Sequence, residues 1–102
     1  MENKNFVYLL VDEYTYDNEP QDVIVIPCIS KEVAIRELKE RYEWYIKESY
    51  ISQFVNEDGS LNIEEFDENW DAWDVNNDSV SIYLSAKDTS LNLYIKREEI
   101  KK

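Results

Sequence analysis

The sequence predicts an α+β domain in which an antiparallel sheet carries a long helix across one face, in the order β-β-α-α-β-β. Three observations predict it. Two β-rich runs near the start, NFVYLLVDE (5–13) and DVIVIPCIS (22–30), flank the polar stretch YTYDNEPQ. From residue 31 to about 54, apolar residues recur at every third or fourth position. Two alternating runs, SVSIYLS (79–85) and SLNLYIKRE (90–98), then surround AKDT as a second hairpin.

The first two runs read as an antiparallel hairpin. Pro27 has no N–H to give to a sheet ladder, so the second strand is expected at an edge or ending there. Ser30 is a natural N-cap for the long helix that follows. In that helix Ala34, Leu38, Tyr42, Ile46 and Tyr50 recur every four residues, with Ile35 and Tyr45 beside them, a stripe that should lie on the sheet. After Gly59 a second helix is expected from Asn62 to about Val75, capped by Asn62 with Glu65 placed as in a capping box. Ile63, Phe66, Trp70 and Trp73 form its apolar face at spacings of three, four and three, which assigns both tryptophans to the core.

A chain of 102 residues with 43% hydrophobic composition suffices for one modest core, so residues 1–102 read as a single domain. The longest early apolar run, FVYLLV (6–11), is far shorter than a membrane span and lacks the basic flank of a secretory signal. The expected location is therefore cytoplasmic, which also suits the single Cys28. There is no histidine, which removes the usual zinc ligands and the commonest general base near neutral pH, and one glycine cannot build a phosphate-cradling loop. We therefore expect neither enzymatic activity nor a cofactor. A net charge of −12 opposes direct nucleic-acid binding, which relies on Lys and Arg displacing counterions from phosphates, and favours a basic protein surface as partner.

The charge is unevenly placed. Residues 31–53 carry five acids and five bases, whereas 54–78 carry nine acids and no base. On the expected second helix, Glu64/Glu68, Asp67/Asp71 and Asp71/Asp74 are like-charge pairs, each costing ~0.2–0.5 kcal/mol, and late aspartates oppose the helix dipole. Stability alone favours lysine there. The candidate partner-binding residues are therefore Glu64, Asp67, Glu68, Asp71, Asp74 and Asp78, a helical row of carboxylates roughly 5–6 Å apart such as a nucleic-acid channel accepts. The 12–19 turn adds Asp12, Glu13, Tyr14, Tyr16, Asp17 and Glu19, where tyrosines among carboxylates suit an arginine-bearing partner.

The stretch NEDGSLNIEEF (56–66) resembles the back of an EF-hand calcium loop. With Gly59 on the loop's glycine, Asn56, Asp58, Ser60 and Asn62 occupy ligand-type positions and Glu65 stands where the bidentate glutamate belongs. The first ligand position, however, holds Phe54, whose ring cannot coordinate. DVNND (74–78), the only other candidate, places Ser79 at the glycine position and Ser85 at the glutamate position. A glycine turn accounts for the same letters, so no metal is expected. A calcium- or magnesium-responsive module on 56–78 is the rival reading.

VYLLVDEY, a short hairpin and SKEVAIRELKERY together resemble the start of small phage and mobile-element proteins of Gram-positive and gut bacteria, with a hairpin before a helix of E-x-A-x-x-x-L type. The likeness covers about half the chain. In size, acidity and lack of catalytic residues the chain also resembles anti-CRISPR and other anti-defence inhibitors, many of which imitate nucleic acid. Those resemblances imply an inhibitor that occupies the basic groove of a CRISPR effector or another nuclease. An orphan host domain whose acidity only confers solubility is the third reading.

Overall fold

The computed structural model describes residues 6–100; Asn5, where the first expected strand begins, lies outside them. In chain order the elements are β1 (Phe6–Tyr16), β2 (Glu19–Pro20), β3 (Ile24–Cys28), α1 (Lys31–Glu48), β4 (Ala72–Val75), β5 (Ser79–Leu84) and β6 (Thr89–Glu99). Single 3-10 turns occupy Tyr50–Phe54 and Ser85–Lys87. All six strands form one antiparallel sheet in the order β2-β1-β6-β5-β4, with β3 also pairing β1 on the β2 side. The architecture is α+β, with one α-helix among the described residues.

Strand β1 is central because both of its edges are used. It pairs β6 from Phe6↔Glu99 to Thr15↔Ser90, and β3 from Tyr8↔Cys28 to Asp12↔Ile24. Alternation sends Leu10, Asp12 and Tyr14 towards α1, and Leu9, Val11 and Glu13 to the opposite face. The strand runs three residues further than its apolar pattern suggests. Asp17 (φ 52°) and Asn18 (φ 63°) then make a two-residue turn, both in the left-handed region that Asp and Asn tolerate and that matches strand twist. Tyr14 and Tyr16 are thus strand residues, not turn residues. Pro27 lies on β3, which pairs only β1, in agreement with the edge placement.

The Ser30 hydroxyl accepts the Val33 N–H at 3.2 Å and starts α1. Ser49 ends it, because its hydroxyl donates to the Tyr45 carbonyl at 2.6 Å while accepting the Ile51 N–H at 3.1 Å, which turns the chain into the 3-10 segment. Leu38 and Tyr45 from the helix, with Ile51 and Phe54 after it, are buried against Leu10, Val80, Ile82, Leu84, Leu91 and Leu93, and Ala34 is also buried. Tyr42, Ile46 and Tyr50 sit half-buried at the margin, as the predicted stripe requires.

The expected second helix does not form, and the order β-β-α-α-β-β is corrected accordingly. Asn62 starts a single turn, its carbonyl accepting from the Phe66 N–H at 3.1 Å and its side chain from the Glu64 N–H. Asp67 then starts another, accepting the Asn69 N–H on its side chain and the Asp71 N–H on its carbonyl at 2.7 Å. Asn and Asp side chains compete for backbone donors, and adjacent carboxylates repel along a helix face. The remainder, Ala72–Val75, is claimed by the sheet, where Trp73 pairs Ile82 and Val75 pairs Val80.

Leu38 is fully buried and Lys39 beside it is exposed. Leu38→Ala should lose about 2–5 kcal/mol of unfolding free energy in urea titrations, and Lys39→Ala should lose under about 0.5 kcal/mol. Similar losses at the two positions would contradict this packing of α1.

Candidate functional site

The acidic stretch forms an irregular loop joining the 3-10 turn at Tyr50–Phe54 to β4. It opens with a glycine turn: Val55 bridges Leu61, the Asn56 N–H donates to the Ser60 carbonyl at 2.8 Å, and Gly59 adopts φ 87°. Asp58 accepts from the Ser60 hydroxyl at 2.6 Å and its N–H at 3.0 Å, and these bonds hold its carboxyl below the ordinary value. The Asn56 amide donates to Ser60 Oγ and the Leu61 carbonyl. The side chains of Asn56, Asp58 and Ser60 are thus bonded to one another, Asn56 through its amide nitrogen, and Glu65 belongs to the next turn. Among the described residues, no group of three or more acidic, cysteine or histidine side chains is placed to hold a metal ion.

Beyond this turn Glu64, Glu65, Asp67 and Glu68, together with Leu61, Ile63 and Phe66, line an open depression of about 730 Å³. These four carboxylates are the acidic residues that the fold gathers. Ile63 is 82% exposed and Trp70 71% exposed, so the assignment of Trp70 to the core is corrected: without the helix, nothing turns it inward. Trp73 is half-buried edge-on to Phe66, with ring centroids 6.5 Å apart.

The other predicted acidic residues are dispersed. Asp71 turns towards the protein and accepts the Ser85 N–H at 2.8 Å, the Ser85 hydroxyl at 2.7 Å and the Asp67 N–H at 2.9 Å. Burial pushes its carboxyl up, but those bonds outweigh it and hold the group below its ordinary value. Asp71 is the tether of the loop. Asp74 lies on β4 and accepts from the Asn76 amide, while Asp78 in the following turn stands 3.8 Å from Lys31 Nζ. The continuous helical row of carboxylates does not exist.

The 12–19 segment is likewise mostly engaged within the chain. Asp12 is 1% exposed, with Oδ2 2.6 Å from Arg41 Nε and Oδ1 2.7 Å from the Tyr45 hydroxyl. It is a structural residue and presents nothing to a partner. Burial, then the bond to Asp12, pushes the Tyr45 phenol far above its usual range, which keeps it a donor. Glu13 accepts from the Tyr94 hydroxyl at 2.9 Å, and Tyr14 packs on Tyr45 at 4.9 Å. Tyr16 and Tyr50 share a cation already, since Lys87 Nζ lies 5.7 Å from each ring centroid. Of the predicted partner residues in this segment, only Asp17 and Glu19, at the hairpin tip, are exposed.

Arg41, Tyr45 and the half-exposed Trp44 were not singled out as functional from the sequence. The available signal was Asp12 itself, a carboxylate at an inward position of an apolar strand, which demands a donor from the element packed above. No protein-family model, curated protein or solved structure matches the chain. No helix among the described residues is long and apolar enough to cross a membrane.

Two outcomes test these placements. Arg41→Met leaves the Asp12 carboxylate buried with Tyr45 as its remaining donor, so unfolding free energy should fall by about 3 kcal/mol, the lower end for a broken buried pair because Arg41 is itself partly exposed. Because the folded Asp71 carboxyl titrates below its unfolded value, its contribution is complete above about pH 4 and fades as pH falls through the lower folded value. Asp71→Asn should therefore cost about 1 kcal/mol at pH 7 and progressively less below pH 4, as read from paired urea melts.

Proposed function

We propose that the protein is a non-enzymatic inhibitor that binds the basic, nucleic-acid-accepting surface of another protein, of the kind found in CRISPR effectors and other bacterial nucleases, in the host cytoplasm. The observation that carries this reading is the base-free stretch 54–78, whose loop gathers four exposed carboxylates at a depression that the exposed Ile63 also lines, with Trp70 exposed further along the same loop. Surface carboxylates alone give solubility. Large apolar side chains left open among them are what an interface core uses, since a few desolvated aromatic and aliphatic anchors supply most binding energy while charges steer encounter. The reading does not need a helical phosphate-like row: loop carboxylates meet a basic groove by field and by the anchors they surround. Asp17 and Glu19 add charge at the first hairpin tip.

The test compares two triple reversals that each move net charge from −12 to −6, because three acids become three lysines. Glu64, Glu65 and Glu68 changed to lysine should abolish capture of a basic nucleic-acid-binding protein from a nuclease-bearing bacterial lysate and remove its salt sensitivity. The same change at Glu43, Glu48 and Glu99 should leave capture within about threefold. Added nucleic acid should displace the captured protein. Equal behaviour of the two variants, or simultaneous binding of nucleic acid and this protein, would favour the solubility reading or a different contact.

A further inference from the structure

A second cavity, of about 410 Å³, opens between α1 and β3 and is lined by Ile24, Glu37, Glu40, Arg41, Trp44 and Tyr45. We propose that it is a socket for an arginine side chain carried by an extended segment of a partner protein, which adds as a strand to the free edge of β3. The proposal stands apart from the acidic-loop reading. The cavity lies at the opposite edge of the sheet from β4, four strand spacings or roughly 19 Å away.

Two independent features lead to it. The first is electrostatic. Glu37 and Arg41 have the i, i+4 spacing and the order of a favourable helix ion pair, yet Arg41 turns its Nε to the buried Asp12. Three ion pairs form among the described residues, and neither Glu37 nor Glu40 takes part in one. The cavity wall thus carries two uncompensated carboxylates beside a cation that is already neutralised. Trp44, 56% exposed and held edge-on by Tyr45 at 5.1 Å, supplies a ring face. A guanidinium stacks on indole and forks to carboxylates in one geometry, which a lysine ammonium cannot do.

The second feature is the edge itself. Strand β3 pairs β1 on one side and no strand on the other, and Val23, Ile24 and Val25 are all exposed there. An apolar β-branched edge is an aggregation hazard that proteins ordinarily blunt, and here only Pro27 does so, at the far end. A strand added beside Val23–Ile26 keeps its backbone donors paired. Its side chains on the helix side, next to Ile24, lie over Glu37, Glu40 and Trp44. A second copy of the chain does not fit the socket through the same edge, since residues 22–30 contain no base.

The test is an amide NMR titration with an acetylated, amidated hexapeptide of alternating threonine and valine carrying one central arginine, beside its alanine and lysine counterparts. The arginine peptide should shift the amides of 23–26 and the Trp44 indole, and bind at least about tenfold more tightly than the alanine peptide, with lysine between. Glu37→Gln/Glu40→Gln should lose about tenfold at unchanged Tm. The lysine reversal of Glu64, Glu65 and Glu68 should bind the peptide as the parent does, so failure of the socket and failure of the acidic loop are read separately. Equal binding of arginine and alanine peptides, shifts confined to 63–71, self-association through β3 without peptide, or no binding at millimolar peptide would each overturn the proposal.

Discussion

The buried Asp12 carboxylate is the constraint around which the molecule is arranged. It sits on the central strand at an inward position, where an unpaired charge costs several kcal/mol, and the two groups that satisfy it come from one helix four residues apart. Apolar contacts between a helix and a sheet tolerate sliding and rotation. A carboxylate that must meet both the Arg41 guanidinium and the Tyr45 hydroxyl does not. It fixes the rotation and axial position of α1 over β1, sets Tyr45 against Tyr14, and holds Trp44 at the margin. It also shapes the surface charge, because withdrawing Arg41 leaves Glu37 without the partner its spacing offers.

The acidic loop shows the opposite balance. Its seven acids have no buried partner set to order them into a regular element, and the backbone is organised instead by Asn and Asp side chains: Asn62 and Asp67 each hold one turn, and Asp58 the glycine turn. Asp71 alone reaches back, and through Ser85 it connects the loop to the β5–β6 turn. That turn is held in place by the first hairpin, since the Asn18 N–H donates to the Asp88 carbonyl at 3.1 Å and Lys87 lies over Tyr16 and Tyr50. The loop is free in composition but fixed at its end.

Both hairpins, the Ser30 cap, the edge position of Pro27 and the stripe on α1 were legible in the sequence, because each depends on chemistry within a few residues: turn formers, a cap hydroxyl, a missing N–H, a period. The second helix was misread for the same reason. Ile63, Phe66, Trp70 and Trp73 do have helical spacing, but the competing forces were Asx turns and the pairing of 72–75 with β5, and only the second of these is long-range. Of the candidate site, Glu64, Asp67 and Glu68 come together with Glu65 as a surface, while Asp12 and Asp71 turned out to hold the fold. Type alone does not separate a partner-facing carboxylate from a structural one. Parity along β1 would have done so for Asp12. For Asp71 the deciding donor, Ser85, lies fourteen residues away across a hairpin.

The two proposed surfaces also differ in the physics that would govern them. The loop carboxylates are exposed, so their field reaches a partner over about one Debye length and is quenched by salt, which makes them suited to accelerating encounter. The cavity carboxylates stand beside Ile24, Trp44 and the neutralised Arg41, where a seated guanidinium would stack on the indole as it meets them, and loss of those joint contacts would govern dissociation. A partner that met both edges of the sheet would therefore show an association rate that follows loop charge and ionic strength, and a dissociation rate that follows Glu37, Glu40 and Trp44. Because the two edges are joined through the rigid pairing of β1, β6 and β5, their separation is set by the sheet. A ligand reaching only one edge would show only one of these dependences.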